Sequence, residues 1–333
     1  MNLKSPLLPL TAAAVLTLGA CSGAPAAQEG ASSGDAQPKR TIVTAFYGLE
    51  YAAQQIVGDT ATVTSLTQPG QESHDLELKP SQIAEVGAAD MVVYLSEFQP
   101  AVDEAVTQSG NDHVLDAATV ADLLPANEAS DHSEEAHDDH SEEAHDDHSE
   151  EEAHDDHAHG DHDPHFWLDA TRMAKVGQAL ATQLAQQFPE HKATYEANAK
   201  QFGDAMAAID EEYRTGLAEC ERKEFITAHA AFNYLAKAYG LTEIGISGIN
   251  PDDEPSPARI AEVQALAKEH EVTTIFFETL TSPDLTKAIA GDLGLKTAVL
   301  DPLEGVTDNS PGTDYPSIMR ANLEALKEAN GCH

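Results

Sequence analysis

The side chains of this chain best suited to chemistry are histidines, and they fall into two groups. Nine of them (His132, His137, His140, His145, His148, His154, His157, His159 and His162) lie in an acidic tract at 131–163. The tract is built on the unit SEEAHDDH, which occurs twice and then a third time with one extra Glu, and it holds sixteen Asp or Glu and no Lys or Arg. Neutral imidazole supplies borderline nitrogen ligands near pH 7 and carboxylates add hard oxygen donors, so the natural partner is a divalent cation. Like charges at this density leave nothing apolar to bury. The segment 130–162 is therefore expected to be a disordered loop that holds metal weakly through interchangeable ligands. Its period is far below the roughly 20–50 residues that stacked repeat architectures need.

High affinity requires fixed geometry, which directs attention to the second group. His74 lies in QPGQESHDLELKP, His165 in DPHFWLD, His229 in FITAHAAF and Asp301 in VLDPL. Each stands at a predicted strand end or turn, where an α/β cleft collects ligands. Three imidazoles and one carboxylate make an N/O set suited to tetrahedral Zn2+, and the acidic tract becomes an accessory that gathers ions beside it. The remaining histidines, His113, His191, His270 and His333, have helical or terminal contexts and are expected at the surface, as is Glu97 near the cleft rim. A hydrolytic metal site would want an HExxH helix; none is present, and HSEEAH in the repeat has the wrong spacing. The chain is not expected to be an enzyme.

Alternating strand and helix signals must position these residues. TIVTAF, ATVTSL and MVVYL have the composition of strands, with helical patterns between them, which predicts a parallel α/β lobe over 41–188. EFITA, VTTIFFE and TAVLD repeat the pattern in a second lobe over 219–333, closed by a last helix at about 315–329. Between them, the stretch 189–218 predicts a helix of about thirty residues, roughly 45 Å long and longer than one lobe needs. The expected fold is thus α/β, two lobes with parallel sheets flanked by helices, joined by one long backbone helix, with metal in the interlobe cleft.

The 333 residues carry a formal charge of −40, of which −24 remains outside the acidic tract. Nucleic acid is excluded as a partner on that ground, since phosphate binding needs a basic surface. The first 21 residues contain a short apolar run followed by LGAC, a lipoprotein signal with Cys21 as the lipidated residue, and 22–40 is a small-residue tether. The mature chain is accordingly expected to be extracytoplasmic, anchored to the outer face of the cell membrane by a lipid on Cys21. In that oxidising compartment the two remaining cysteines, Cys220 and Cys332, are expected to form a disulfide rather than to bind metal, because neither belongs to a CxxC.

Taken together, PGQESHDLELKPSQIAEVGAADMVVYL, DPHFWLD, ITAHAAFNYLAKAYGL, EPSPARIAEV and FFETLTSPDL resemble the cluster A-I solute-binding lipoproteins of bacterial ABC importers for zinc and manganese, over almost all of 41–331. The resemblance is to the zinc-specific, ZnuA-like branch. It implies a monomer that captures Zn2+ in the cleft and delivers it to an ABC permease and its ATPase. By position it makes His74, His165 and His229 the zinc ligands and places Asp301 at the family's carboxylate position. It also puts Glu278, in FFE, near the cleft, where the expected role is to accept a hydrogen bond from a ligand imidazole. Manganese members place a carboxylate where His229 stands, so this residue argues for zinc. The alternatives are a manganese-binding member of the family and a metal-buffering or adhesin lipoprotein of the cell surface.

Overall fold

A computed structural model describes residues 39–126 and 161–333. The signal sequence with Cys21, the tether up to Pro38 and the tract histidines His132 to His159 lie outside the described residues. Both edges of the tract are placed. Ala126 N donates to Asp161 O (3.0 Å), Asp163 N donates to Leu124 O (2.9 Å), and His162 pairs with Pro125 as an antiparallel bridge. Asp161 and His162, which the charge density assigned to the acidic loop, are thus held in the fold, because the returning chain finds backbone partners in the outgoing one.

The β-branched runs form two four-stranded parallel sheets. In the first, β1 (Arg40–Thr44), β2 (Ala61–Ser65), β3 (Met91–Tyr94) and β4 (Val114–Asp116) take the order β2-β1-β3-β4, and Ile42 sits opposite both Val63 and Met91. Helices α1 (Tyr47–Val57), α2 (Pro80–Ala88) and α3 (Pro100–Ser109) connect them. The second half repeats this topology with β5 (Glu224–Thr227), β6 (Thr242–Gly245), β7 (Thr274–Phe277) and β8 (Lys296–Val299) in the order β6-β5-β7-β8. Its connections are α6 (Asn233–Tyr239), α7 (Pro257–Glu269) and α8 (Asp284–Leu293). In each sheet the direction of strand addition reverses beside the first strand, which opens a crevice at the C-terminal strand ends.

Between the halves, α4 (Ala170–Gln187) and α5 (Lys192–Gly216) form a hairpin closed by a 3-10 turn at Pro189–His191. That turn takes the residues expected to begin the long helix, so α5 has 25 residues and spans about 38 Å. Its buried side chains, Tyr195, Ala199, Phe202, Met206, Ile209 and Tyr213, recur every three or four residues as one apolar stripe. Gly177 on α4 makes the crossing possible, since a Cβ there would lie 2.5 Å from the Phe202 ring. Near its end α5 meets α9 (Tyr315–Asn330): Tyr213 Oη donates to Met319 O (2.6 Å), and Arg320 pairs with Glu212 (2.8 Å). One apolar cluster runs continuously from Ile42 and Val43 through Leu180 and Met206 to Phe276, Ile318 and Leu326, so the halves share a core. Among the described residues no helix is long and apolar enough to cross a membrane.

Cys220 and Cys332 form a disulfide across 112 residues, as expected. It fastens the chain just past α5 to the chain just past α9, beside the backbone bonds Arg222 N to Asn330 O (3.1 Å) and His333 N to Glu219 O (3.0 Å). A closed loop of this length restricts the unfolded chain strongly. Replacing both cysteines by alanine is expected to cost roughly 2–5 kcal/mol and lower the melting temperature by several degrees. Calorimetry of both proteins without reductant checks this, and equal melting would show that the bridge adds no stability.

Candidate metal centre

Strand ends deliver most of the site. His229 follows β5 by two residues, Glu278 follows β7 directly, and the turn after β8 carries Asp301 and Glu304. His74 lies farther from its strand, and the first half supports it with extra bonds: Gln99 Nε2 donates to Ser73 O (2.8 Å) and to Thr67 Oγ1 (3.1 Å). His165 stands where the chain returns from the acidic tract, one short turn before α4. Phe46, Phe98 and Trp167 pack as an aromatic bed with centroids 4.6–5.5 Å apart. The His74 ring meets Phe98 at 4.8 Å, and the His165 ring meets Trp167 at 5.2 Å.

The ligand atoms of His74, His165, His229 and Glu304 all lie within 4.8 Å of one another. His165 Nε2 is 3.2 Å from His74 Nε2 and 3.4 Å from His229 Nε2. Glu304 Oε1 is 3.3 Å from the Nε2 atoms of His74 and His165 and 3.4 Å from that of His229. Ligands 2.0–2.1 Å from a tetrahedral centre stand about 3.3–3.4 Å apart, the spacing that Zn2+ imposes on nitrogen and oxygen donors. Five of the six edges match it. All four side chains are buried, and His74, at 5 % exposure, is the least enclosed.

Asp301 is not part of this group, which corrects the sequence expectation. Its Oδ1 accepts from Leu303 N (2.9 Å) and its Oδ2 from Thr279 Oγ1 (3.2 Å), while its backbone is held on both sides by the Asn322 amide (2.9 and 2.7 Å). The acid nearest the strand is used up in shaping the turn. Leu303 then takes a left-handed backbone conformation (φ 59°), which swings the next acid, Glu304, to the imidazoles. Only the second acid in DPLEG signals this in sequence.

Two further carboxylates meet imidazole rings of this group. Glu278 Oε1 accepts from His229 Nδ1 (2.6 Å), and Asp163 Oδ1 accepts from His165 Nδ1 (2.9 Å), a contact sequence reasoning missed. A carboxylate can only accept, so the proton sits on Nδ1 and the Nε2 lone pair is left for a metal. Electrostatics divide the imidazoles. Burial pushes His74 down to about 4 against the opposing pull of Glu304. Burial also opposes protonation of His165 and His229, but the hydrogen bonds with Asp163 and Glu304 outweigh it at His165, and the Glu278 charge and bond outweigh it at His229, so both are raised. Burial would raise Glu304, yet the facing imidazoles hold it well below the usual carboxylate range. A cation competes with protons for the same Nε2 lone pairs, so binding and proton release are coupled.

The other expected surface groups lie apart from the centre. His113 and His333 are exposed, His191 packs on Tyr195, and His270 faces Glu224 (3.6 Å). Glu97 is exposed, 4.0 Å from His162, the one tract histidine within the described residues.

Comparison with known proteins places this geometry in a family. A family model described as ZnuA, the periplasmic zinc-uptake complex component A, matches residues 42–329. The high-affinity zinc uptake system protein ZnuA of Bacillus subtilis is 37 % identical over 323 residues, covering 96 % of this chain and 95 % of that protein. The zinc-binding lipoprotein AdcA of Streptococcus pneumoniae is 35 % identical over 302 residues, covering 88 % of this chain and 56 % of the longer relative. The solved Zn(II)-bound ZnuA-like domain of S. pneumoniae AdcA superposes with a TM-score of 0.68 at 33 % identity, covering 88 % of this chain and 99 % of the domain. With the match extending across both lobes and every element that carries the His3Glu group, the chain belongs to the ZnuA family of zinc-uptake components.

Proposed function

We propose that this protein captures Zn2+ outside the cytoplasm and hands it to an ABC permease for uptake, with zinc as cargo held by His74, His165, His229 and Glu304. The observation that carries the reading is the near-tetrahedral spacing of three Nε2 atoms and one carboxylate oxygen in a buried seam between two lobes. Catalytic zinc sites keep an open fourth position for water, whereas here the protein supplies all four donors. Three imidazoles with a single carboxylate favour Zn2+ over Mn2+, which prefers a larger share of hard oxygen ligands. Attachment to the membrane through Cys21 and action as a monomer complete the proposal. The signal sequence supports the first, and a single cleft that encloses its cargo with its own ligands supports the second.

Calorimetric zinc titration tests the ligand set. Alanine at His74, His165 or His229 is expected to weaken binding by more than the roughly 10–100-fold that follows loss of an outer-shell partner. Glu304→Gln should do the same, while Asp301→Asn, whose amide oxygen still accepts from Leu303 N and whose NH2 can donate to the Thr279 hydroxyl, should stay near wild type. Wild-type affinity in Glu304→Gln would refute the assignment. The orienting carboxylates form a separate tier: Glu278→Gln and Asp163→Asn should each weaken zinc binding by about 10–100-fold without changing the stoichiometry.

The acidic histidine tract is proposed as an accessory that concentrates zinc beside the cleft. Its composition supports weak binding, and its two edges, 124–126 and 161–163, meet two residues from His165. Deleting 127–160 keeps that pairing. Titration of the deletion variant should lose the weak, multi-ion phase and retain the tight one. Disappearance of the tight phase from a folded variant would move the primary site into the tract.

A further inference from the structure

The fourth donor is contributed by one lobe and held by the other. Glu304 belongs to the turn after β8, in the second half, where Asn322 fixes the turn only as far as Asp301. Beyond that point Asp301 Oδ1 holds Leu303 N from within the turn, while the carbonyls of Pro302 and Glu304 are held from the first half. Trp167 Nε1 donates to Pro302 O (2.7 Å), and Ser73 Oγ donates to Glu304 O (3.0 Å), with all four residues buried. Trp167 is itself fixed, since its ring packs on Phe46 and Phe98 and its carbonyl accepts from Tyr315 Oη (2.6 Å). Ser73 and Trp167 lie one residue from His74 and two from His165.

These contacts have an uneven geometry. The imidazoles of His74 and His165 stand on first-half elements regardless of where the second half lies. The Glu304 carboxylate reaches them only while its turn is drawn against the first half. We propose that Trp167 and Ser73 form an interlobe clamp on the main chain of the Glu304 turn, positioning the carboxylate and thereby setting how fast zinc leaves the cleft. The inference rests on the zinc-capture reading above. Both clamp bonds run from a neutral donor to a backbone carbonyl, so they are strong enough to hold the turn and weak enough to break when the lobes separate. Neither donor touches the metal position. They are positioning residues that act through Glu304.

Stopped-flow release of zinc into an excess of a chromogenic chelator tests the clamp. Trp167→Phe keeps an aromatic ring on the bed and removes the N–H; Ser73→Ala removes the hydroxyl with little change in volume. Each is expected to raise the release rate about three- to tenfold, with the association rate little changed because the three imidazoles remain in place. The decisive measurement is a double-mutant cycle with Glu304→Ala. If the clamp acts through the carboxylate, adding Ser73→Ala or Trp167→Phe to Glu304→Ala leaves the release rate unchanged. Additive effects in that background, or a wild-type release rate in Ser73→Ala, would overturn the clamp while leaving the zinc-capture reading intact. Failure of the wild-type protein to bind zinc tightly would instead overturn that reading.

Discussion

Four lone pairs aimed at one point, in a seam closed to water, set the terms for the rest of this molecule. The His165 nitrogen lies 3.2–3.4 Å from those of His74 and His229, and with a carboxylate oxygen equally close these atoms repel one another unless a cation or protons sit among them. Holding such a set together requires stiff supports. Each imidazole has one: an aromatic bed under His74 and His165, and carboxylate partners on the Nδ1 atoms of His165 and His229. The tautomers that present Nε2 lone pairs are thus prescribed by buried acids and not left to the metal.

The repeated topology explains how two halves of one chain come to share a site. Each sheet orders its strands in the same way, so each offers a crevice at the C-terminal ends of its central strands, and the crevices face across the seam. Ligands close to a strand end inherit its rigidity, as His229 does. His74, farther along its loop, needs Gln99 to hold the preceding carbonyl.

The scaffold around the seam resists large movement. A shared apolar core and the α4–α5 hairpin, packed without a side chain at Gly177, tie the halves together, and the bridge from Cys220 to Cys332 fastens the chain past α9 to the start of the second half. Wide opening would expose that core to water at a cost that scales with the apolar area uncovered. Motion that frees the cargo is cheaper at the turn after β8, where the connection between halves is a few neutral hydrogen bonds.

Much of this was legible in the residues themselves. The strand-end positions of His74, His165 and His229, the alternation of strands and helices in two lobes and the last helix could be read from local pattern, because periodicity and strand-end position are properties of short segments. The cysteine pair followed from the oxidising compartment and the absence of other partners. The fourth donor was not legible. Asp301 and Glu304 are three residues apart in the same turn and equal in charge, and local pattern favours the acid nearer the strand. The choice between them is made by Asn322 on α9, by the left-handed turn at Leu303, and by Ser73 and Trp167 from the opposite lobe. Asp163 escaped notice for a related reason: it is one of sixteen acids in a repetitive tract, and its bond to the His165 ring is visible only in the fold. The types of ligand and their approximate places were thus determined by sequence alone. Which carboxylate faces the imidazoles was decided by tertiary structure, because that choice depends on hydrogen bonds between segments 21 to 231 residues apart.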